Sequence, residues 1–340
     1  MHSCQSLKHL GGVENTFWYS ALNRSLPQFA VPTFFFMSGF LFFRNINGDW
    51  DWKLYKSKLK SRFHSLFIPY LLWNILAYSA DLVYFIIKGY FTKDYSQAME
   101  YWGTLSPNIF WNVHPIGTHS QNWFGGFAGY SAPVDLPLWY LRDLIVLVII
   151  APVIWFLLKK TNGWVLAVLF FTYISRVWVP LSGFGMTSMF FFSTGAYLGM
   201  KQIDVIKCCN SLQWIWIPTL VLAGLVVCFK GTYTFTGQNL MPFYIIFVIV
   251  TAVNFTSHYV RKGWSANAFL VKSCFFIFAC HEVIFKNVAK SIVERLFNGS
   301  TLWPLQFLIV AALIVIMCLV VYYCLNRFLP KVSKVLAGNK

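Results

Sequence analysis

Six ionisable residues stand inside long apolar runs of the chain: Asp81, Arg142, Asp143, Arg176, His281 and Glu282. A charge at the centre of a membrane helix costs at least about 2.5 kcal/mol, so each of them needs a partner or a task. His281 and Glu282 are an adjacent base and acid, a pair suited to proton transfer because imidazole changes charge near neutral pH. Arg142 reads in two ways: it neutralises Asp143 or Glu282, or it lines with the other five a shared cavity in the outer half of the membrane. Asp81 and Arg176, near the ends of their runs, read as a second neutralising pair. Cys280 beside His281 is not read as a nucleophile activated by it, since neighbouring helical residues do not face one another. His114 and His119 share a loop that supplies no third ligand, so no metal site is expected.

These groups have to be positioned by a membrane bundle. Of the 340 residues, 58% are apolar and only 11% are charged, which excludes an ordinary water-soluble domain. Nine apolar stretches approach the length needed to cross a hydrocarbon core: 27 to 43, 63 to 87, 138 to 158, 163 to 180, 184 to 200, 211 to 229, 240 to 257, 269 to 289 and 303 to 326. Their length predicts helices rather than barrel strands, so the expected fold is one all-α polytopic domain over 1–340, with an aromatic-rich outer segment at 88–137. All six charged residues fall in the outer half of that bundle; His281 lies about 18 Å up its helix. The eight cysteines form no CxxC pair and are expected to be small buried hydrophobes.

The net charge of +16 would suggest nucleic acid in a soluble protein, but the positives fall between the apolar runs and set topology instead. No nucleic-acid partner is expected; the bilayer is. Sixteen of the 27 Lys and Arg residues lie in one set of alternate connections, chiefly Arg44 to Arg62 and the C-terminal tail, and seven in the other. The basic side and the C-terminus are therefore expected to be cytoplasmic. Nine spans then start the chain outside, with no signal-like segment before residue 27, so either the tail is expected to cross unaided or a first span is expected upstream.

The run Phe34-Phe35-Phe36-Met37-Ser38-Gly39-Phe40-Leu41-Phe42-Phe43-Arg44 resembles the FF-x-x-SGFL-type signature of membrane acyltransferase family three. Four further segments are similar to that family in the same order. They are the basic stretch Lys58 to Phe63 leading to Ile68-Pro69-Tyr70, Pro137 to Leu144 with Leu138-Trp139-Tyr140-Leu141-Arg142, Phe191 to Gly199, and Ser273 to His281. The resemblance implies ten spans, the first ending on a catalytic His; Met1-His2-Ser3 resembles the end of that motif and places His2 there.

The resemblance further implies transfer of an acyl group, usually acetyl from acetyl-CoA, to a hydroxyl of an envelope saccharide in a bacterial inner membrane, with no bound cofactor or metal. His2 is then the base, assisted by His281, Glu282, Arg142 and Asp143. Ser38, Gly39, Arg44, Lys58 and Arg62 are expected to take the donor, the small residues admitting its thin arm and the cations its phosphates. Trp123, Tyr130, Trp139 and Tyr140 are expected to stack on the acceptor's sugar rings. A multi-span transporter of a small polar solute and a non-catalytic scaffold remain as alternatives. Oligomeric state is not legible.

Overall fold

The computed structural model describes residues 21, 25–46, 49–116, 130–178, 181–231, 234–296 and 303–339. Each of the nine apolar runs contains helix among its described residues, in an all-α bundle with one small hairpin. A turn opened by Pro27 leads into α1 (Ala30–Phe43). Asp51 starts α2 (Trp52–Arg62), its Oδ1 accepting the Lys53 and Leu54 N–H groups at 2.7 and 3.1 Å. A π turn at Phe63–Phe67 joins α2 to α3 (Ile68–Thr92), giving 41 residues of continuous helix. At 1.5 Å per residue that is about 60 Å, twice a hydrocarbon core, so this element crosses and projects beyond it. The expected loop after residue 51 is thus helix, because the cap holds its start and the polar residues that follow remain good helix formers.

The segment expected to be an outer loop also carries structure. It contains α4 (Ser96–Gly103) and the antiparallel pair β1 (His114–Ile116) and β2 (Tyr130–Ala132), with His114 opposite Ala132. Next come α5 (Trp139–Ile149) and α6 (Ala151–Lys160), whose axes bend by 63° where Pro152 cannot continue the hydrogen-bond ladder. Two shorter helices follow, α7 (Val165–Ser175) and α8 (Met186–Met200). The rest are α9 (Val205–Ser211), α10 (Trp216–Cys228), α11 (Phe235–Arg261), α12 (Ala268–Cys280), α13 (Lys286–Leu296), α14 (Trp303–Phe328) and α15 (Pro330–Leu336).

Among the described residues, four helices are long and apolar enough to cross a membrane, and up to seven spans result if each of three bent pairs counts as one. α7 and α8 are too short alone. α8 is held instead by α1: a Cβ on Gly39 or Gly195 would overlap the Phe192 or Phe36 carbonyl, and one on Gly199 would lie 2.7 Å from the Phe40 oxygen. Gly195 and Gly199 are four residues apart, the spacing that lets two membrane helices approach backbone to backbone. The space beside Gly39, where a donor arm was expected, is filled by α8.

Cysteine burial also differs from expectation. Cys209, Cys280 and Cys318 are buried, whereas Cys208, Cys228, Cys274 and Cys324 are exposed on the helices, where lipid in place of water removes the pressure to hide a small apolar group.

Candidate functional site

α3 presents Tyr70, Trp73, Asn74, Ala77 and Tyr78 to the interior, a buried stripe at helical spacing. Its polar members hold the outer segment. Tyr70 OH donates to the Phe110 carbonyl, and Tyr78 OH to the Tyr101 and Trp102 carbonyls at 2.9 and 3.2 Å. Asn74 Oδ1 accepts the Asp135 N–H at 3.1 Å, while its Nδ2 donates to the Tyr70 carbonyl at 2.8 Å.

Behind this stripe sits the charge pair of α5. Arg142 and Asp143 are each 2% exposed. Arg142 Nη2 and Nε donate to Asp143 Oδ1 at 2.9 and 3.2 Å, and Nη1 donates to the Trp111 carbonyl at 2.6 Å. The guanidinium also lies 5.3 Å from the centre of the Trp111 ring. Asp143 Oδ2 accepts from Ser188 at 3.4 Å, and the missing Cβ of Gly185 lets the turn before α8 approach that oxygen. Of the two partners considered for Arg142, Asp143 is the one it takes; the long side chain folds back onto its own neighbour.

His281 and Glu282 open a π turn, His281–Phe285, where α12 and α13 bend by 69°. Such turns inside membrane helices frequently mark functional positions. His281 Nδ1 faces the Phe278 carbonyl at 2.6 Å, so in the neutral ring the proton belongs on Nδ1 and Nε2 is the basic atom. Glu282 Oε1 accepts from Lys286, one turn on. The pairing expected between Asp81 and Arg176 does not form: Asp81 accepts from Tyr101 OH at 3.2 Å, and Arg176 donates to Gln238 at 2.6 Å. Two polar neighbours nearer to each residue take its place.

Asp135 was not singled out from the sequence. It is 1% exposed, and neither carboxylate oxygen has a hydrogen-bond partner. Burial, with the charges of Glu282 and Asp81 nearby, pushes its carboxyl well above the usual carboxylate range. Tyr70 lies within the fields of Arg142, Asp143 and Asp135, which links the α5 pair to the Glu282 side of the bundle. The available signal was position: an acid three residues ahead of the apolar run at 138 to 158.

The other expected site residues divide. Trp139 and Tyr140 are half-buried at the start of α5. Tyr140 packs against Phe34 and Phe35 of α1 and Phe278 of α12 with ring centres 6.1, 6.1 and 4.8 Å away, and Trp139 lies 6.4 Å from Phe35. Lys58 reaches back to the Phe42 carbonyl and its ring, capping the end of α1, and Arg44 lies over Phe40. Arg62 ends α2. His2, His119 and Trp123 lie outside the described residues, and Tyr130 is described only as part of β2. Among the described residues no group of three His, Cys, Asp or Glu is placed to hold a metal.

Comparison with known proteins adds chemistry to this geometry. The family profile described as an acyltransferase domain matches residues 1–323. A curated relative, the succinoglycan biosynthesis protein ExoH of Rhizobium meliloti (strain 1021), is 28% identical over 188 residues, 54% of this chain. The match spans 44% of that protein's length. No solved structure matches.

Proposed function

Since the chain belongs to this family of membrane acyltransferases, we propose that it is an O-acyltransferase moving acetyl from acetyl-CoA to a hydroxyl of a cell-envelope saccharide. The family match along residues 1–323 is the observation that carries acyl transfer. The similarity to a protein named for succinoglycan biosynthesis supports a saccharide acceptor. In this reading the multi-pass bundle lies in a bacterial inner membrane with its basic, C-terminal end in the cytoplasm, where the donor is made.

The reaction needs a base to take the acceptor's hydroxyl proton, so that the oxygen attacks the thioester carbonyl. The carbon–sulfur bond then breaks, and the coenzyme thiolate leaves and takes up a proton. We assign the base to His2, as the family resemblance implies, and place His281 and Glu282 beside the reacting groups. Arg142 is reassigned as a positioning residue, because its Nε, Nη1 and Nη2 are all engaged with Asp143 and Trp111. It ties α5 to the outer segment that would meet the acceptor.

The three bent helix pairs favour a second reading, a carrier, since broken helices are a common device of transporters. Acetyl-labelled coenzyme A supplied to membranes containing the protein separates the two. Enzyme activity moves the label into envelope glycan and loses it when His2 is replaced by Ala; a saccharide crossing the membrane unlabelled would overturn the acyltransferase reading.

A further inference from the structure

At the basic end of the bundle, α2 and the turn that follows it face the C-terminal turn across a cavity of about 550 Å³. Its α2 side carries two parallel stripes at four-residue spacing. One is Ser57, Ser61 and Ser65; the other begins Lys60, His64. The cavity therefore meets three hydroxyls, an ammonium and an imidazole on one helical face, and no acidic side chain lines it. His64 Nδ1 lies 2.9 Å from the Lys60 carbonyl, an arrangement that leaves Nε2 for another partner.

The opposite wall is built, not incidental. Gly338 takes φ +61°, and a Cβ there would lie 2.5 Å from the Ser65 carbonyl oxygen, so the chain closes against the turn after α2 only with glycine at this position. Trp73 Nε1 donates to the Leu336 carbonyl at 2.9 Å, and Asn339 Nδ2 to the Lys272 carbonyl at 3.1 Å, which pins the residues on both sides of that glycine. The volume falls within the range of small-molecule sites. Cations with flanking hydroxyl donors and no competing carboxylate match one ligand chemistry best, a phosphate ester, whose oxygens accept several charge-assisted hydrogen bonds at once.

We propose that this cavity is an organophosphate site, in which Lys60 and His64 hold the phosphate and the serine stripe donates hydrogen bonds to its remaining oxygens. The phosphate can come from a soluble nucleotide or from an anionic phospholipid headgroup. The inference does not depend on acyl transfer. It also differs from the donor residues read from the basic run, since Lys58 is engaged with Phe42 while Lys60 lines the cavity.

The test uses the full chain in phosphatidylcholine nanodiscs. One arm titrates adenosine diphosphate, followed by tryptophan fluorescence; the other measures retention of phosphatidylglycerol by native mass spectrometry. In at least one arm the wild type binds, and the double variant Lys60→Gln, His64→Gln weakens binding at least about tenfold. Ser61→Leu, which narrows the cavity and keeps the charges, produces a similar loss. Lys331→Gln, on the neighbouring α15 but outside the lining, changes binding less than about threefold. A response in the nucleotide arm assigns a soluble ligand, and one in the lipid arm assigns a headgroup. The proposal is overturned if the wild type binds neither probe, or if the double variant and Ser61→Leu both bind as the wild type does.

Discussion

Arg142 and Asp143 are locked together with 2% of each exposed, while Lys60 and His64, in the same bundle, stand exposed beside an open cavity. Both regions are polar features of a largely apolar chain, yet they answer to different solvents. Inside the hydrocarbon an uncompensated charge is ruinous, so the outer cluster is almost fully cross-linked: guanidinium to carboxylate, carboxylate to Ser188, guanidinium to the Trp111 carbonyl. At the basic end water and headgroups solvate what the protein leaves unpaired, and the groove can keep its donors for a ligand. The lesson is that burial decides whether a charged residue is spent on the fold or kept for binding.

The contrast is broken most severely by removing one member of the buried pair. Arg142→Ala leaves Asp143 uncompensated and is expected to cost about 3–5 kcal/mol of stability, read as loss of folded protein in detergent unfolding curves. Arg142→Ala combined with Asp143→Ala restores most of that. If the single variant is as stable as the wild type, the pair does not hold α5 to the outer segment.

Asp135 sharpens the comparison, being a buried acid of the outer region with neither carboxylate oxygen hydrogen-bonded. Its folded-state pKa is raised, so the folded protein holds the proton more tightly than the unfolded chain. Stability is then highest below the unfolded-state value and falls as pH rises through the folded one. Asp135→Asn is expected to flatten that decline and to raise stability near neutral pH by about 1 kcal/mol, measured as unfolding midpoint against pH. An unchanged slope would mean that Asp135 does not titrate in that window.

Much of this was legible in the sequence. Helices lie where hydropathy places the apolar runs, and the α5 pair and the His281–Glu282 step lie within them, although among the described residues only four helices, or up to seven spans with the bent pairs, have the length a bilayer demands. Pairings were not. Asp81 with Arg176 was reasonable by sign alone, but Tyr101 and Gln238 stand closer, and sequence distance says nothing of which helices pack together. Nor could the basic run reveal that Lys58 turns back to cap α1 while Lys60, two positions on, lines a cavity; the residue count around α2 decides that. The stripe of Tyr70, Asn74 and Tyr78 was present as a four-residue spacing, and only the outer segment lying against it gave the spacing a purpose.

The smallest effect is expected at the exposed pair Lys159 and Asp49, 2.5 Å apart. Lys159 holds the Asp49 carboxyl below its usual range, yet both are in water and screened. Lys159→Ala should leave the unfolding midpoint within experimental error, and a large shift would contradict the solvent argument.

The central claim is the proposed one, that acetyl transfer takes place beside His281 and Glu282 with His2 as its base. Its most direct test is steady-state transfer by the purified chain in nanodiscs, with labelled acetyl-CoA and an envelope saccharide, comparing wild type with His281→Ala and Glu282→Gln. The account predicts that kcat falls by about 10²- to 10⁴-fold for His281→Ala, and by a smaller factor for Glu282→Gln, while the donor KM stays within about twofold. Unchanged kcat in both variants, or a rise confined to the donor KM, would contradict it.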